Sequence, residues 1–198
     1  MSDRYECACY AIRNEIRGFE STGGYRNDPD DPGGETKFGI AKRDHPMVDI
    51  KNLTMDGAAA IILTEYCASE DIADNCVAAK FVDLAINMEG TGKCGAAVKI
   101  LQAAANFQFP GALTVDGQYG PETEKEINAC NAASLLMAMD ALACEHYRAI
   151  VAARPASQKY LDGWIERANR IPEYNPCALR GRQITAAIDA GAGNEASA

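Results

Sequence analysis

The chain has 198 residues, of which 28 are acidic and 19 basic, and its net charge at neutral pH is −9. This acidic balance excludes the basic surface that nucleic-acid binding requires. A hydrophobic fraction of 47% and a charged fraction of 24% are typical of a folded protein, and the length suits one domain, alone or with a small appendage.

Targeting signals and metal motifs are not predicted. No window reaches the roughly eighteen apolar residues of a membrane span, and the N-terminal MSDRYECACY lacks the apolar core of a signal peptide. We therefore expect a chain that is made in the cytoplasm and needs another factor for export. The eight cysteines contain no CxxC pair and no zinc-like spacing with histidine. Their alanine-rich surroundings favour buried thiols, with disulfides formed in an oxidising compartment as the alternative.

The chain begins with a predicted helix whose buried face has apolar residues at steps of three and four: Tyr5, Cys9, Ile12, Ile16 and Phe19. Residues 23–39 are rich in GG, NDP and DP turn signals. This segment leaves room for short hairpin strands around Tyr25 and from Lys37 to Ile40. The N-terminal part is therefore predicted as a helix followed by a turn-rich hairpin.

The rest of the chain is predicted to be helical. Thr54 can cap a helix in LTMDGAAAIILTEYCA, and Pro121 suits the first position of a helix that follows a tight turn at Asp116 and Gly117. Further helices are predicted at residues 76–87, 95–105, 132–151 and 160–170. The fold class is therefore mainly α, with a small β-hairpin element near the N-terminus.

The predicted helix end and hairpin contain Glu20, Asp31 and Thr36 in that order. Cleavage of a glycosidic bond needs a carboxylic acid that protonates the leaving oxygen, and a second group that stabilises the positive centre or activates water. Partial desolvation keeps such an acid protonated. The three residues could supply this chemistry, although acids in a Gly/Pro loop are more often solvated turn formers. Glu35, in the same loop, is predicted to face solvent.

The stretch GGYRNDPDDPGGETKFGIAKRDHP resembles the signature of the glycoside hydrolase 108 family, phage-type endolysins that act as N-acetylmuramidases. The segments AINMEG, LQAAA, VDGQYGPET and DGWIERANR resemble the peptidoglycan-binding domain that accompanies this family. The resemblance implies a lysozyme-like α+β fold. It also implies a catalytic region at 1–90, a helical peptidoglycan-binding-like region packed on it at 91–180, and a flexible tail at 181–198.

The resemblance implies hydrolysis of the β-1,4 bond between N-acetylmuramic acid and N-acetylglucosamine in peptidoglycan, as in host cell lysis. Glu20 would be the general acid, Asp31 would stabilise positive charge or help activate water, and Thr36 would position that water. No metal or organic cofactor is needed, because proton transfer and electrostatics suffice. We expect a monomer that binds peptidoglycan glycan strands, has no membrane anchor, and acts in the periplasm or cell wall after release by a factor such as a holin.

One departure from the family concerns the acid itself. In the family the catalytic Glu directly precedes GGY, whereas here Thr22 does so and Glu20 lies two residues earlier. Either Ser21 and Thr22 are an insertion, or the acid is replaced and the chain is an inactive lysozyme-like domain that binds wall glycan or a protein partner. At 100° per residue, Glu20 lies about 60° from the centre of the apolar face of the first helix, and Thr22 about 100° on the other side. This helical wheel favours Glu20.

Aromatic and acidic residues near these positions have simpler interpretations beside the functional ones. Tyr25, with Thr22, is a candidate substrate contact because an aromatic ring can stack on a sugar, and packing is the alternative. Asp28 is predicted to form a turn. Trp164 and Tyr160, four residues apart, are predicted to pack between the last helices, with a sugar platform as the alternative.

Overall fold

The structure is a computed structural model that describes residues 3–16, 24–29, 33–65, 71–89, 94–170 and 172. These residues form seven α-helices, one 3-10 helix and a small antiparallel sheet, which confirms the predicted mainly α class. The elements are α1 Asp3–Ile16, β1 Tyr25–Arg26, β2 Thr36–Lys37, β3 Ile40–Ala41, α2 Met55–Glu65, α3 Asn75–Glu89, α4 Gly95–Gln108, α5 Pro121–Ala129, α6 Ala132–Ala153, the 3-10 helix Pro155–Tyr160 and α7 Leu161–Ala168.

The sheet has the order β1-β2-β3, so β2 is its central strand. Lys37 pairs with Ile40 across a two-residue turn, in which Phe38 and Gly39 both have positive φ angles, of 57° and 82°. Such turns match the twist of a tight hairpin. The predicted strand near Tyr25 is confirmed, but the segment from Lys37 to Ile40 is two strand ends joined by this turn, because Phe38 and Gly39 cannot continue an extended strand.

Two helix starts agree with their sequence signals. The Thr54 hydroxyl oxygen accepts a hydrogen bond from the Gly57 amide at 3.1 Å, as a capping residue does. Pro121 is the first residue of α5, and Glu122 and Glu124 lie in its first turn, where acidic side chains favour the positive end of the helix dipole. Helices α2 and α5 therefore begin where local chemistry predicts.

Helix α3 is the centre of the core. All its residues from Val77 to Ile86 are buried, and it packs against α1, α4 and α6. A helix with no solvent-exposed face must have other elements packed on all its sides, so α3 is the helix around which the others assemble. The large, fully buried side chains of α3 and of the helices packed on it include Ile12, Phe81, Leu84, Leu101, Leu135 and Met139.

The buried α3 also carries charged residues, and the last helices supply their partners. Asp83 is 0% exposed and accepts hydrogen bonds from Arg167 of α7, with Nε at 3.1 Å and Nη2 at 2.8 Å from Oδ1. Arg167 Nη1 also donates to Asn87 Oδ1 at 3.0 Å. Lys80 Nζ, also on α3, lies 2.7 Å from Asp140 Oδ1 on α6. These charges tie the middle of the chain to its C-terminal helices.

Helix α1 joins the same network. Asn14 Nδ2 donates to Asp83 Oδ1 at 3.1 Å, and the Tyr10 hydroxyl donates to the Arg170 carbonyl oxygen at 3.4 Å. Lys80 Nζ donates to that carbonyl at 2.9 Å and also to the carbonyl of Ala168. The first, third, sixth and seventh helices therefore share one buried set of polar contacts.

The described cysteines that form hydrogen bonds do so as thiols. Cys7 donates to the Asn75 carbonyl at 3.8 Å, Cys130 to the Glu126 carbonyl at 3.3 Å and Cys144 to Asn169 Oδ1 at 3.6 Å. Burial raises the pKa of the Cys130 and Cys144 thiols, which makes them less reactive. The prediction of buried thiols is confirmed for Cys7, Cys9 and Cys144, whereas the thiols of Cys76, Cys94 and Cys130 are half-buried. Cys67 and Cys177 lie outside the described residues.

We expect Asp83→Asn to lower the free energy of unfolding by about 3–5 kcal/mol, because it leaves the buried Arg167 guanidinium without its carboxylate. Asp44→Asn is the matched control, because Asp44 forms a comparable pair with an Arg43 side chain that is 52% exposed. That change should cost less than about 1 kcal/mol. Urea unfolding followed by circular dichroism measures both, and equal losses would contradict a structural role for the buried pair.

Candidate active site

The central strand β2 holds Thr36 in a fixed position. Thr36 pairs with Arg26 of β1 on one side and with Ala41 of β3 on the other, and its side chain is 7% exposed. Its hydroxyl donates to the Gly34 carbonyl oxygen at 3.2 Å. Since that bond uses the hydroxyl proton, the oxygen retains lone pairs that can accept a hydrogen bond from water or substrate.

A second polar pair lies on the same hairpin. The Tyr25 hydroxyl donates to Glu35 Oε1 at 2.7 Å, and the hydrogen bond to this carboxylate raises the pKa of Tyr25. Tyr25 is paired with Lys37, so Glu35 is its diagonal neighbour, within reach of a long aromatic side chain. The prediction that Glu35 faces solvent is wrong, because this cross-strand contact holds it half-buried.

Asp28 connects the hairpin to the C-terminal part of the chain. Its Oδ2 accepts a hydrogen bond from the Tyr160 hydroxyl at 3.0 Å and lies 3.4 Å from Lys159 Nζ. The prediction that Asp28 serves as a turn former omitted this role, because 132 residues separate Asp28 from Tyr160 in sequence. The loop after β1 is therefore attached to the 3-10 helix.

Aromatic rings continue this connection into the core. Trp164 stacks on Tyr147 with ring centroids 5.3 Å apart and contacts Tyr160 at 5.6 Å. The Tyr147 hydroxyl accepts a hydrogen bond from Asn87 Nδ2 at 2.6 Å. The prediction that Trp164 and Tyr160 pack between the last helices is confirmed for Trp164, which packs against the core.

Three predicted site residues, Glu20, Thr22 and Asp31, lie outside the described residues. The structure therefore describes two of the five predicted site residues, Thr36 and Tyr25, and places both on the hairpin. The catalytic and substrate-binding roles assigned to all five stay predictions. Glu35 is a hairpin carboxylate that the sequence analysis did not include among the site residues. The strand register, which brings Glu35 next to Tyr25, is the signal that could have indicated this contact.

The helical-wheel argument for Glu20 does not hold. Cys9 and Ile12 are buried as predicted, but Cys7, Ala8 and Ala11 are buried as well. They move the centre of the buried face by about 60° towards the side on which the wheel places position 22. The prediction relied on large apolar residues and ignored small ones, which also pack well in a core. The wheel thus gives no support for position 20 over position 22.

The described residues contain neither a cluster suited to a metal ion nor a single helix suited to crossing a membrane. Among the residues that the structure describes, no group of three or more His, Cys, Asp or Glu side chains could hold a metal ion. No single helix in these parts of the chain is long and apolar enough to cross a membrane. Helices α5 and α6 together pass that test by length and composition, but they are bent by 115°.

Comparison with protein families assigns both halves of the chain. Residues 15–89 match the family model described as Glycosyl hydrolase 108, and residues 96–169 match the one described as Predicted Peptidoglycan domain. The chain carries a glycoside hydrolase 108 domain followed by a peptidoglycan domain. These two domains indicate a glycosidase-type enzyme directed at peptidoglycan, and they cover about three quarters of the chain.

Comparison with solved structures supports the fold. The chain is similar to SagA of Brucella abortus, with 22% sequence identity and a TM-score of 0.59, over 88% of this chain and 94% of that chain. At this identity the likeness shows the fold alone. No curated protein matches the chain significantly.

The contacts described above join the two matched domains. Asp28 and Asp83 belong to the glycoside hydrolase domain, while their partners Tyr160 and Arg167 belong to the peptidoglycan domain. The peptidoglycan domain therefore supports the loop after β1 as well as the core. The predicted division at residues 90 and 181 stays a prediction.

We expect Tyr160→Phe to accelerate amide hydrogen exchange in β1 about fivefold, because a hydrogen bond of about 1 kcal/mol to Asp28 is lost. Lys159→Met should have a smaller effect, since Lys159 Nζ is farther from Asp28 and its side chain is 44% exposed. Exchange measured by mass spectrometry on both variants is the test. A larger effect of Lys159→Met would contradict the assigned contact.

Proposed function

We propose that this chain is a muramidase that hydrolyses the β-1,4 bond between N-acetylmuramic acid and N-acetylglucosamine in peptidoglycan. In this proposal it serves as an endolysin, made in the host cytoplasm and acting in the periplasm or cell wall after release. Its proposed partner is the glycan strand, and it works as a monomer without a cofactor. The observation that carries the proposal is the match of residues 15–89 to the glycoside hydrolase 108 family.

Glu20 is the proposed general acid that protonates the leaving glycosidic oxygen. Such an acid must stay protonated near neutral pH, which partial desolvation achieves. Asp31 is proposed to stabilise the positive charge that develops on the sugar or to help activate water. With these two carboxylates, proton transfer and electrostatic stabilisation are sufficient for the reaction.

Thr36 is the proposed residue that positions the attacking water. The geometry of β2 supports this role, because the hydroxyl is held by Gly34 and its oxygen can still accept a hydrogen bond. Tyr25 is proposed to contact the sugar, together with Thr22. The bond from Tyr25 to Glu35 fixes the ring orientation, so that a sugar would meet a preorganised surface.

The release of new reducing ends from purified peptidoglycan tests the proposal. We expect the wild-type chain to release them, and Glu20→Gln to lower the rate by about 10²–10⁴-fold, since a general acid contributes that much. Asp31→Asn should also be strongly impaired, while Asp44→Asn, a change on the exposed pair with Arg43, should remain active.

An inactive wild-type chain that gains activity through Thr22→Glu would contradict the assignment of Glu20. It would support a second function, a lysozyme-like domain that binds wall glycan or a protein partner without cleaving it. The observation in favour of this alternative is that Thr22, not Glu, precedes GGY. The net charge of −9 agrees with the loss of cleavage, since wall-degrading enzymes often carry a positive charge that suits an anionic envelope.

Thr36→Val tests the water-positioning role separately. Valine has nearly the same shape but lacks the hydroxyl, so we expect kcat to fall about tenfold or more. Thr36→Ser keeps the hydroxyl and should retain most of the activity. Melting temperatures of both variants check that the hairpin survives, and unchanged kcat in Thr36→Val would remove Thr36 from the mechanism.

A further inference from the structure

A groove of about 660 Å³ lies on the surface of the peptidoglycan domain, away from the hairpin. Its walls are the first turns of α4, the later turns of α6 and the Val115–Asp116 turn. Ligand-binding clefts have volumes of this order. The groove is shallow and largely open to solvent. It is separate from Thr36 and Tyr25, which do not line it.

The turn at one side of the groove is fixed from beneath. The buried Gln102 amide donates to Asp116 Oδ1 at 2.9 Å and accepts from the Gly117 amide at 3.0 Å. Gly117 has a φ of 81°, and a Cβ there would lie 2.9 Å from the Gly95 carbonyl oxygen. The turn can therefore pack directly on the start of α4 only with glycine at this position. The groove is thus preformed by a rigid contact.

The groove has small side chains on its floor and charges of opposite sign on its walls. Ala96 and Ala103 leave room for a ligand backbone to approach α4 closely. Lys99 projects from α4, and Glu145 projects from α6, and both side chains are exposed. The carboxylate of Asp116 accepts hydrogen bonds from the Gln118 amide and from Gln102, which lower its pKa, and the nearby Lys99 charge helps to lower this pKa. Lys99 therefore offers a cation on the α4 side of the groove, beside this hydrogen-bonded carboxylate, and Glu145 offers an anion on the α6 side.

This charge pattern matches the peptide part of peptidoglycan. The stem peptides carry carboxylates and a diamino acid with an amino group, whereas the glycan backbone offers hydroxyl and acetamido groups. A cation and an anion on opposite walls complement a ligand that carries both charges. Because the chain as a whole is acidic, attraction of an anionic wall polymer must come from local groups such as Lys99.

We propose that the groove between α4 and α6 binds the stem peptides of peptidoglycan, with Lys99 receiving a peptide carboxylate and Glu145 the amino group. This inference rests on the peptidoglycan partner of the proposed function, and it does not depend on which bond is cleaved. The groove then holds the cell wall by its peptides while the hairpin contacts the glycan. Such a division would give the two domains different parts of one polymer to recognise.

Co-sedimentation of the full chain with purified cell-wall sacculi tests the groove. We expect Glu145→Gln to weaken binding severalfold, because it removes one charge-assisted contact, and Lys99→Glu about tenfold, because it also replaces the cation with an anion that repels the peptide carboxylate. Ala149→Trp should also weaken binding, since Ala149 is an exposed groove residue and an indole there would fill the space. The matched controls are Lys125→Glu and Ala152→Trp, which change exposed residues outside the groove and should bind as wild type.

Soluble competitors identify the recognised chemistry. A stem tetrapeptide that contains a diamino acid should displace the chain from sacculi, and a peptide-free N-acetylglucosamine oligomer should not. Displacement by the sugar oligomer alone, or wild-type binding by Ala149→Trp, would overturn the proposal. Reducing ends measured on peptide-free glycan separate the two proposals, because groove variants should keep whatever hydrolysis the wild type has there. Loss of that hydrolysis together with binding would assign the groove to the catalytic cleft and also overturn the proposal.

Discussion

The ion pair between Asp83 and Arg167 is the contact on which the rest of the structure depends. Asp83 lies on a helix that is buried on every side, so its charge requires a partner from elsewhere in the chain. Arg167 supplies that partner from the last described helix and extends the network to Asn87, while Asn14 approaches from the first helix. A central helix with charged residues thus specifies where the terminal helices must pack.

Because of these contacts, the two matched domains are not structurally independent of each other. A binding domain on a flexible linker would leave a catalytic domain unaffected by its removal, but here Arg167 and Tyr160 complete the glycoside hydrolase domain. Trp164 packs between Tyr147 in the core and Tyr160, and the Tyr160 hydroxyl binds Asp28 beside the hairpin. Peptidoglycan recognition and hairpin geometry are therefore features of one folded unit.

Local signals in the sequence predicted the elements but not their long-range contacts. Thr54 and Pro121 act through neighbours within a few residues, so capping chemistry placed their helices correctly. The bond from Tyr160 to Asp28 spans most of the chain, and no periodicity could indicate it. The contact between Tyr25 and Glu35 required the strand register, which depends on the turn at Phe38 and Gly39. The motif that begins with GGY indicated the family, yet Glu20, Thr22 and Asp31 lie outside the described residues.

The two interpretations of the segment FESTGGY make different physical demands. Two residues on an α-helix correspond to a rotation of about 200° and a rise of about 3 Å. If Ser21 and Thr22 are an insertion, Glu20 keeps the position of the acid relative to the first helix, and the two extra residues must be accommodated between Glu20 and Gly23. If Thr22 replaces the acid, nothing is inserted, and Glu20 differs from the position of the acid by that rotation and rise. The activity of Glu20 therefore depends on where the chain accommodates the two residues as much as on its carboxylate.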